Sequence, residues 1–126
     1  MKDYLIAERP EVLSGYTPKA DTQCGTLYLT LNELEDKLFE VRLIMGKAGN
    51  CVNTLLQTIA ILISVLLQSK IPPDKIAKAL EKRLDSHCPE PFIKDGIKYV
   101  SCVDWVIRKI LEDMTNRGEI NLEETT

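Results

Sequence analysis

The chain has 126 residues, 44% of them apolar and 28% charged, and a net charge of −3. Those values describe one globular domain with a real core, exclude a disordered chain, and weigh against a nucleic-acid binder, which carries a basic excess. The N-terminal stretch Met1–Pro10 lacks the long apolar run and small-residue cleavage site of a secretory signal. The expectation is therefore a cytoplasmic protein whose four cysteines meet a reducing environment, where metal binding or free thiols prevail over disulfides.

Residues 1–20 carry Pro10, Gly15 and Pro18 and read as an extended lead-in. From Thr26 to Leu31 apolar and polar residues alternate, with Leu27, Leu29 and Leu31 on one face; Phe39, Val41 and Leu43 do the same in the next run. Two period-two runs joined by the polar stretch Asn32–Lys37 predict a β-hairpin with one buried face. An additional N-terminal strand is compatible with the lead-in.

Gly46–Asn50 resembles a phosphate-binding loop only superficially, because the Gly-x-x-x-x-Gly-Lys-Ser/Thr spacing is missing; it reads as a tight strand-to-helix turn that carries Cys51 toward the other cysteines. No charged residue occurs from Ala48 to Ser69, a length that would cross a bilayer of about 20 residues. Asn50, Asn53, Gln57, Ser64 and Gln68 nevertheless form a polar stripe at helical spacing, which lipid would penalise. The segment 50–69 is thus expected to be a buried central helix, with no membrane contact.

Pro72 and Pro73 start a second helix, expected over 73–86, with Ile76, Leu80 and Leu84 inward. Lys75, Lys78 and Lys82 on its other side read as a solvated face rather than a phosphate or nucleic-acid surface. A loop rich in Pro and Gly follows. Ser101-Cys102-Val103-Asp104 has the form of a capping box and opens a third helix, with Val103, Val106, Ile107, Ile110, Leu111 and Met114 in one stripe. Trp105 lies off that stripe, as a partner anchor or packed against the hairpin or the Pro-rich loop, the packed position being favoured. The reading is an α+β fold, a β-hairpin packed against three helices. The domain is expected over 21–117, with a frayed tail over 118–126.

Cys24, Cys51, Cys88 and Cys102 are widely spaced, without a Cys-x-x-Cys knuckle, yet each marks the end of an expected element. Four thiolates in a tetrahedron suit Zn²⁺, and two of these positions are helix first turns, which favour a thiolate. Ordinary buried thiols satisfy the same pattern. His87 beside Cys88 reads as an exposed helix-end residue rather than a ligand. With one histidine and no acid–base pair, the inventory argues against catalysis.

The segments Arg9–Thr17, Cys24–Thr30, Gly46–Cys51, Cys88-Pro89 and Ser101–Asp104 together resemble the TSCPD domain, in order and over nearly the whole chain. That domain occurs at the C-terminus of adenosylcobalamin-dependent (class II) ribonucleotide reductases and as stand-alone proteins. The naming motif reads Val100-Ser101-Cys102-Val103-Asp104 here, with valine in place of Thr and Pro. The resemblance implies a structural zinc ion on Cys24, Cys51, Cys88 and Cys102, and a divergent, free-standing, non-catalytic module that works by binding a macromolecule, in the first place protein, or a second copy of itself. Two other readings stand beside it: a dithiol redox relay using Cys88 and Cys102, and a module that sequesters a nucleotide or nucleic acid, the polymer being disfavoured by the acidic charge.

Overall fold

The computed structural model describes residues 6–47, 49–88 and 91–121. Strands β3 (Gly25–Leu34) and β4 (Lys37–Gly46) pair antiparallel along their whole length, with Leu29 opposite Leu43 and Leu31 opposite Val41. Glu35 and Asp36, at φ of 53° and 65°, make the two-residue left-handed turn that matches the strand twist. The expected hairpin is present and longer at both ends.

Two further strands from the lead-in extend the sheet. Strands β1 (Ser14–Tyr16) and β2 (Lys19–Thr22) pair antiparallel with successive stretches of β3, on the edge that β4 leaves open. Pro18, which lacks an N–H, sits between them and accepts from the Leu29 N–H at 3.0 Å. The odd-numbered leucines of β3 and Val41, Leu43 and Met45 of β4 form the core face and are buried. The even face stays open: Tyr28 and Ile44 are exposed.

Helix α3 (Cys102–Asn116) covers the core face with Trp105, Val106, Ile110 and Met114. Trp105 is fully buried, so the exposed-anchor alternative is overturned: the stripe that contacts the sheet is wider than one row and includes the indole. Helix α2 (Pro73–Glu81) lies on the outer side of α3, where Ile76 and Ala77 are buried. It stops short of the expected 86; residues 82–85 are turns, with Asp85 at φ 60°. The expected loop between α2 and α3 contains a small hairpin, β5 (Phe92–Lys94) and β6 (Ile97–Tyr99), turned by Asp95 and Gly96 at φ of 52° and 79°. Asp-Gly between apolar runs is a strong hairpin signal that the Pro-rich composition obscured.

Past α3, the Glu119 carboxylate accepts from the Leu38 N–H at 3.1 Å, and Ile120 packs on the core. The rest of the expected frayed tail, 122–126, lies outside the described residues, as do the first five residues of the lead-in.

Helix α1 (Asn50–Leu67) departs most from expectation. Only Ala60, Ile63 and Ser64 are buried in it, while Leu55, Ile61 and Leu62 are about 60% exposed. It is long and apolar enough to cross a membrane, with 17% of its span buried, so it is not the buried central helix the sequence suggests. The physical reason is an inversion of the polar stripe. Strand β4 is an edge strand, and its outward N–H and C=O groups need partners. Asn53 accepts from Met45 N–H at 2.8 Å and donates to Met45 C=O at 3.0 Å. Ser64 does the same for Val41, at 3.0 and 3.1 Å, and Gln68 donates to Phe39 C=O at 3.2 Å. The polar stripe faces the sheet edge, and the apolar side faces out.

Candidate functional site

Cys24 lies beside Cys102 at one end of the sheet, with Cys88 in the same neighbourhood. Cys24 lies in the turn from β2 to β3. The Thr22 hydroxyl holds that turn by donating to Gly25 C=O at 2.8 Å and accepting from Cys24 N–H at 3.1 Å. Gly25 has φ of 136°, and a Cβ there would stand 2.6 Å from the Gly46 carbonyl oxygen, so only glycine fits the turn. Cys102 opens α3. Its thiol is half-buried, and burial pushes its pKa up; the neighbouring Cys24 and Cys88 push it the same way, while the Thr22 hydroxyl pulls it down. Cys88 is tied to the same place by its backbone, whose N–H donates to Val100 C=O at 3.0 Å.

Asp104 holds this junction together. It is 1% exposed, and Oδ1 accepts from the Asp85 N–H and from Arg108 Nε, both at 2.9 Å, while Oδ2 accepts from the Val100 N–H at 3.3 Å. One carboxylate therefore joins the end of the α2 segment, the approach to α3 and α3 itself. The capping box is realised on one side: the Ser101 hydroxyl accepts from Asp104 N–H at 3.0 Å. The return bond goes to Val100 and Asp85 instead of the Ser101 N–H. The capping pattern pointed to Asp104 but not to its part in clamping the loop before Cys88.

Cys51 stands apart, exposed on the first turn of α1. Its helix nonetheless begins just past Gly46, which pairs with Thr26 two residues from Cys24, so Cys51 belongs to the same end of the molecule. The turn expected over Gly46–Asn50 is left-handed at Lys47, with φ of 66°, while Ala48 lies outside the described residues. Among the described residues, no group of three or more His, Cys, Asp or Glu side chains is drawn together closely enough to hold a metal ion. His87 is exposed, as are Lys75, Lys78 and Lys82.

Elsewhere the polar groups serve the fold. A groove of about 520 Å³ between α1 and β4 is lined by Arg9, Glu40, Ser64 and Gln68. The first two are paired to each other at 2.6 Å, and the last two are bonded to β4 backbone. On the opposite edge, Tyr16 of β1 donates to Asp113 of α3 at 2.5 Å, and Arg117 bridges Asp113 and Glu33, both at 2.7 Å. Burial and the Asp113 carboxylate hold the Tyr16 hydroxyl protonated far above its ordinary range. These groups are a structural clasp.

One family model, the TSCPD domain, matches residues 2–114, a span that includes the cysteines and Asp104. The chain belongs to the TSCPD domain family. Membership relates it to ribonucleotide reductases and agrees with the resemblance read from the sequence. In this TSCPD domain the motif cysteine and aspartate, Cys102 and Asp104, sit on the first turn of α3, the cysteine toward Cys24 and the aspartate toward the loop. Comparison with curated proteins and with solved structures returns no match.

Proposed function

We propose that this TSCPD domain is a zinc-stapled, non-catalytic binding module related to ribonucleotide reductases, with Cys24, Cys51, Cys88 and Cys102 as the metal ligands. One observation carries the reading: the Cys102 thiol has Cys24 and Cys88 as its electrostatic neighbours. The donor chemistry fits Zn²⁺, which takes four thiolates. Neighbouring thiols make ionisation of Cys102 costly, and a divalent cation would remove that cost by neutralising the thiolates. A zinc ion held by Cys24, Cys51, Cys88 and Cys102 would cross-link the β2–β3 turn, the start of α1, the loop after α2 and the start of α3, a structural rather than a chemical contribution. The protein's own residues supply the frame. Thr22 and Gly25 shape the turn at Cys24, Asp104 clamps the loop beside Cys88, and Asn53 fastens the start of α1 to β4.

Metal analysis of protein purified without chelator tests the proposal. One zinc per chain is expected, lost on substitution of Cys24 or Cys102 by serine; protein without stoichiometric metal would sink it. A binding module also predicts no turnover, and the partner expected first is another protein, in the cytoplasm.

A dithiol reading has its own observation, since Cys24 is a direct neighbour of Cys102. In that reading Cys24 and Cys102, rather than Cys88 and Cys102, give up two protons and two electrons to an acceptor disulfide. Thiol titration separates the two readings: a relay pair oxidises reversibly, whereas zinc thiolates stay blocked until the metal is chelated.

A further inference from the structure

The solvent side of α1 carries Val52, Leu55, Ile59, Leu62 and Leu66, at intervals of three, four, three and four residues. That interval is the a/d repeat of a helix seam made to pack against another helix. Four of the five are exposed, from 44% at Val52 to 60% at Leu55 and Leu62, and the helix side holding Asn53, Ala60 and Ser64 is already committed to β4. The seam therefore faces away from the domain and has no partner within the described part of the chain.

We infer that α1 is a homodimerisation helix: the seam pairs antiparallel with α1 of a second copy, about a two-fold axis near Ile59. Three features favour a second copy. The segment from Ala48 to Ser69 bears no charge, so nothing on it selects a partner of opposite charge, and two identical seams meet without repulsion. A two-fold contact needs a self-complementary surface, which a seam centred on Ile59 provides: Val52 meets Leu66, and Leu55 meets Leu62. With Ile61, 62% exposed, beside the seam, the helix presents one continuous apolar face, the composition of a homodimer interface core. Antiparallel packing follows because α1 has no acidic residue in its first turn and no basic residue in its last, leaving its dipole to be offset by the neighbouring helix.

A membrane is the competing occupant for so apolar a helix. Spanning would pull the β4 edge, bonded to Asn53 and Ser64, into hydrocarbon, and a surface-lying helix would carry basic residues along its polar face, which α1 lacks. The inference does not depend on the zinc reading, because the seam is on the surface with or without metal.

Sedimentation of the full chain tests it. A species of twice 14.3 kDa is expected at micromolar concentration. Leu55→Glu and Leu62→Lys should each sediment as monomers with unchanged circular dichroism, while Ile93→Glu, at an exposed position of β5, stays dimeric. Mixing Leu55→Glu with Leu62→Lys should restore a dimer, because antiparallel packing sets the two new charges side by side; parallel packing would not. A wild-type monomer at about 0.1 mM, a dimer that survives Leu55→Glu, a mixture that stays monomeric, or a monomer that floats with phosphatidylcholine–phosphatidylserine vesicles would each overturn the inference.

Discussion

The hydroxyl of Ser64 accepts from the Val41 N–H and donates to the Val41 carbonyl, taking the place of a neighbouring β-strand at that point of the sheet edge. Asn53 repeats the arrangement at Met45, 11 residues earlier and therefore about three turns along the same face of α1. The helix acts as the cover of strand β4, through side chains rather than through backbone pairing.

Ser64→Ala leaves two buried backbone groups without partners, each of which costs about 1–3 kcal/mol. A loss of about 2 kcal/mol in denaturant unfolding is expected, and a neutral outcome would show that the edge is solvated. The same substitution at exposed Thr58, whose hydroxyl only bonds back to Thr54 C=O, should change stability by less than about 0.5 kcal/mol.

Asp104→Ala removes the acceptor for two backbone N–H groups and leaves Arg108 without its buried partner. Arg108 is 42% exposed and retains Asp85, which limits the electrostatic part of the loss. A cost of about 3 kcal/mol is expected, together with faster alkylation of Cys88 and Cys102 as the loop loosens. Unchanged alkylation would mean that the clamp does not hold the cysteine junction.

In metal-free protein the thiols should alkylate in an order set by exposure. Cys24 and Cys51 are exposed and should react first; Cys102, half-buried and with its pKa pushed up by burial, should react last. Mass spectrometry of partially alkylated chains reads the order. With zinc bound, all four should resist reaction until chelation.

Glu40 accepts two bonds from Arg9, at 2.6 and 3.2 Å, one from Asn32 at 2.8 Å and one from Arg42 at 3.3 Å. The Arg9 guanidinium, aided by Asn32 and Arg42, holds its carboxyl down at about 2 from the usual 4.5. A depressed carboxylate stabilises the fold above its unfolded value. That contribution is fully present above pH 4.5 and is lost as the pH falls toward 2. Glu40→Gln should flatten the acid limb of the stability curve in that window; an unchanged slope would remove Glu40 from the account.

The chain's local patterns determined much of this protein. Strict alternation set the β3–β4 hairpin, because a one-residue slip would turn Leu27, Leu29 and Leu31 to water. The Ser101 cap and the stripe from Val106 to Met114 set α3. The ordered motifs around Cys24, Cys51, Cys88 and Cys102 set the family. Tertiary structure decided which face of each element is satisfied, and by what. An uncharged helix with a polar stripe reads as core in isolation, because periodicity reports two unlike faces without saying which one finds a partner. Only the unpaired edge of β4 makes Asn53, Ser64 and Gln68 the inward side of α1, and so places Leu55 and Leu62 in solvent. Trp105 is buried, as the favoured sequence reading has it, but only the sheet above it settles that position against the exposed anchor. The junction of Cys24, Cys88 and Cys102 likewise arises from three loops brought together by β3, Asp104 and the start of α3, contacts between residues as many as 78 positions apart that no local spacing encodes.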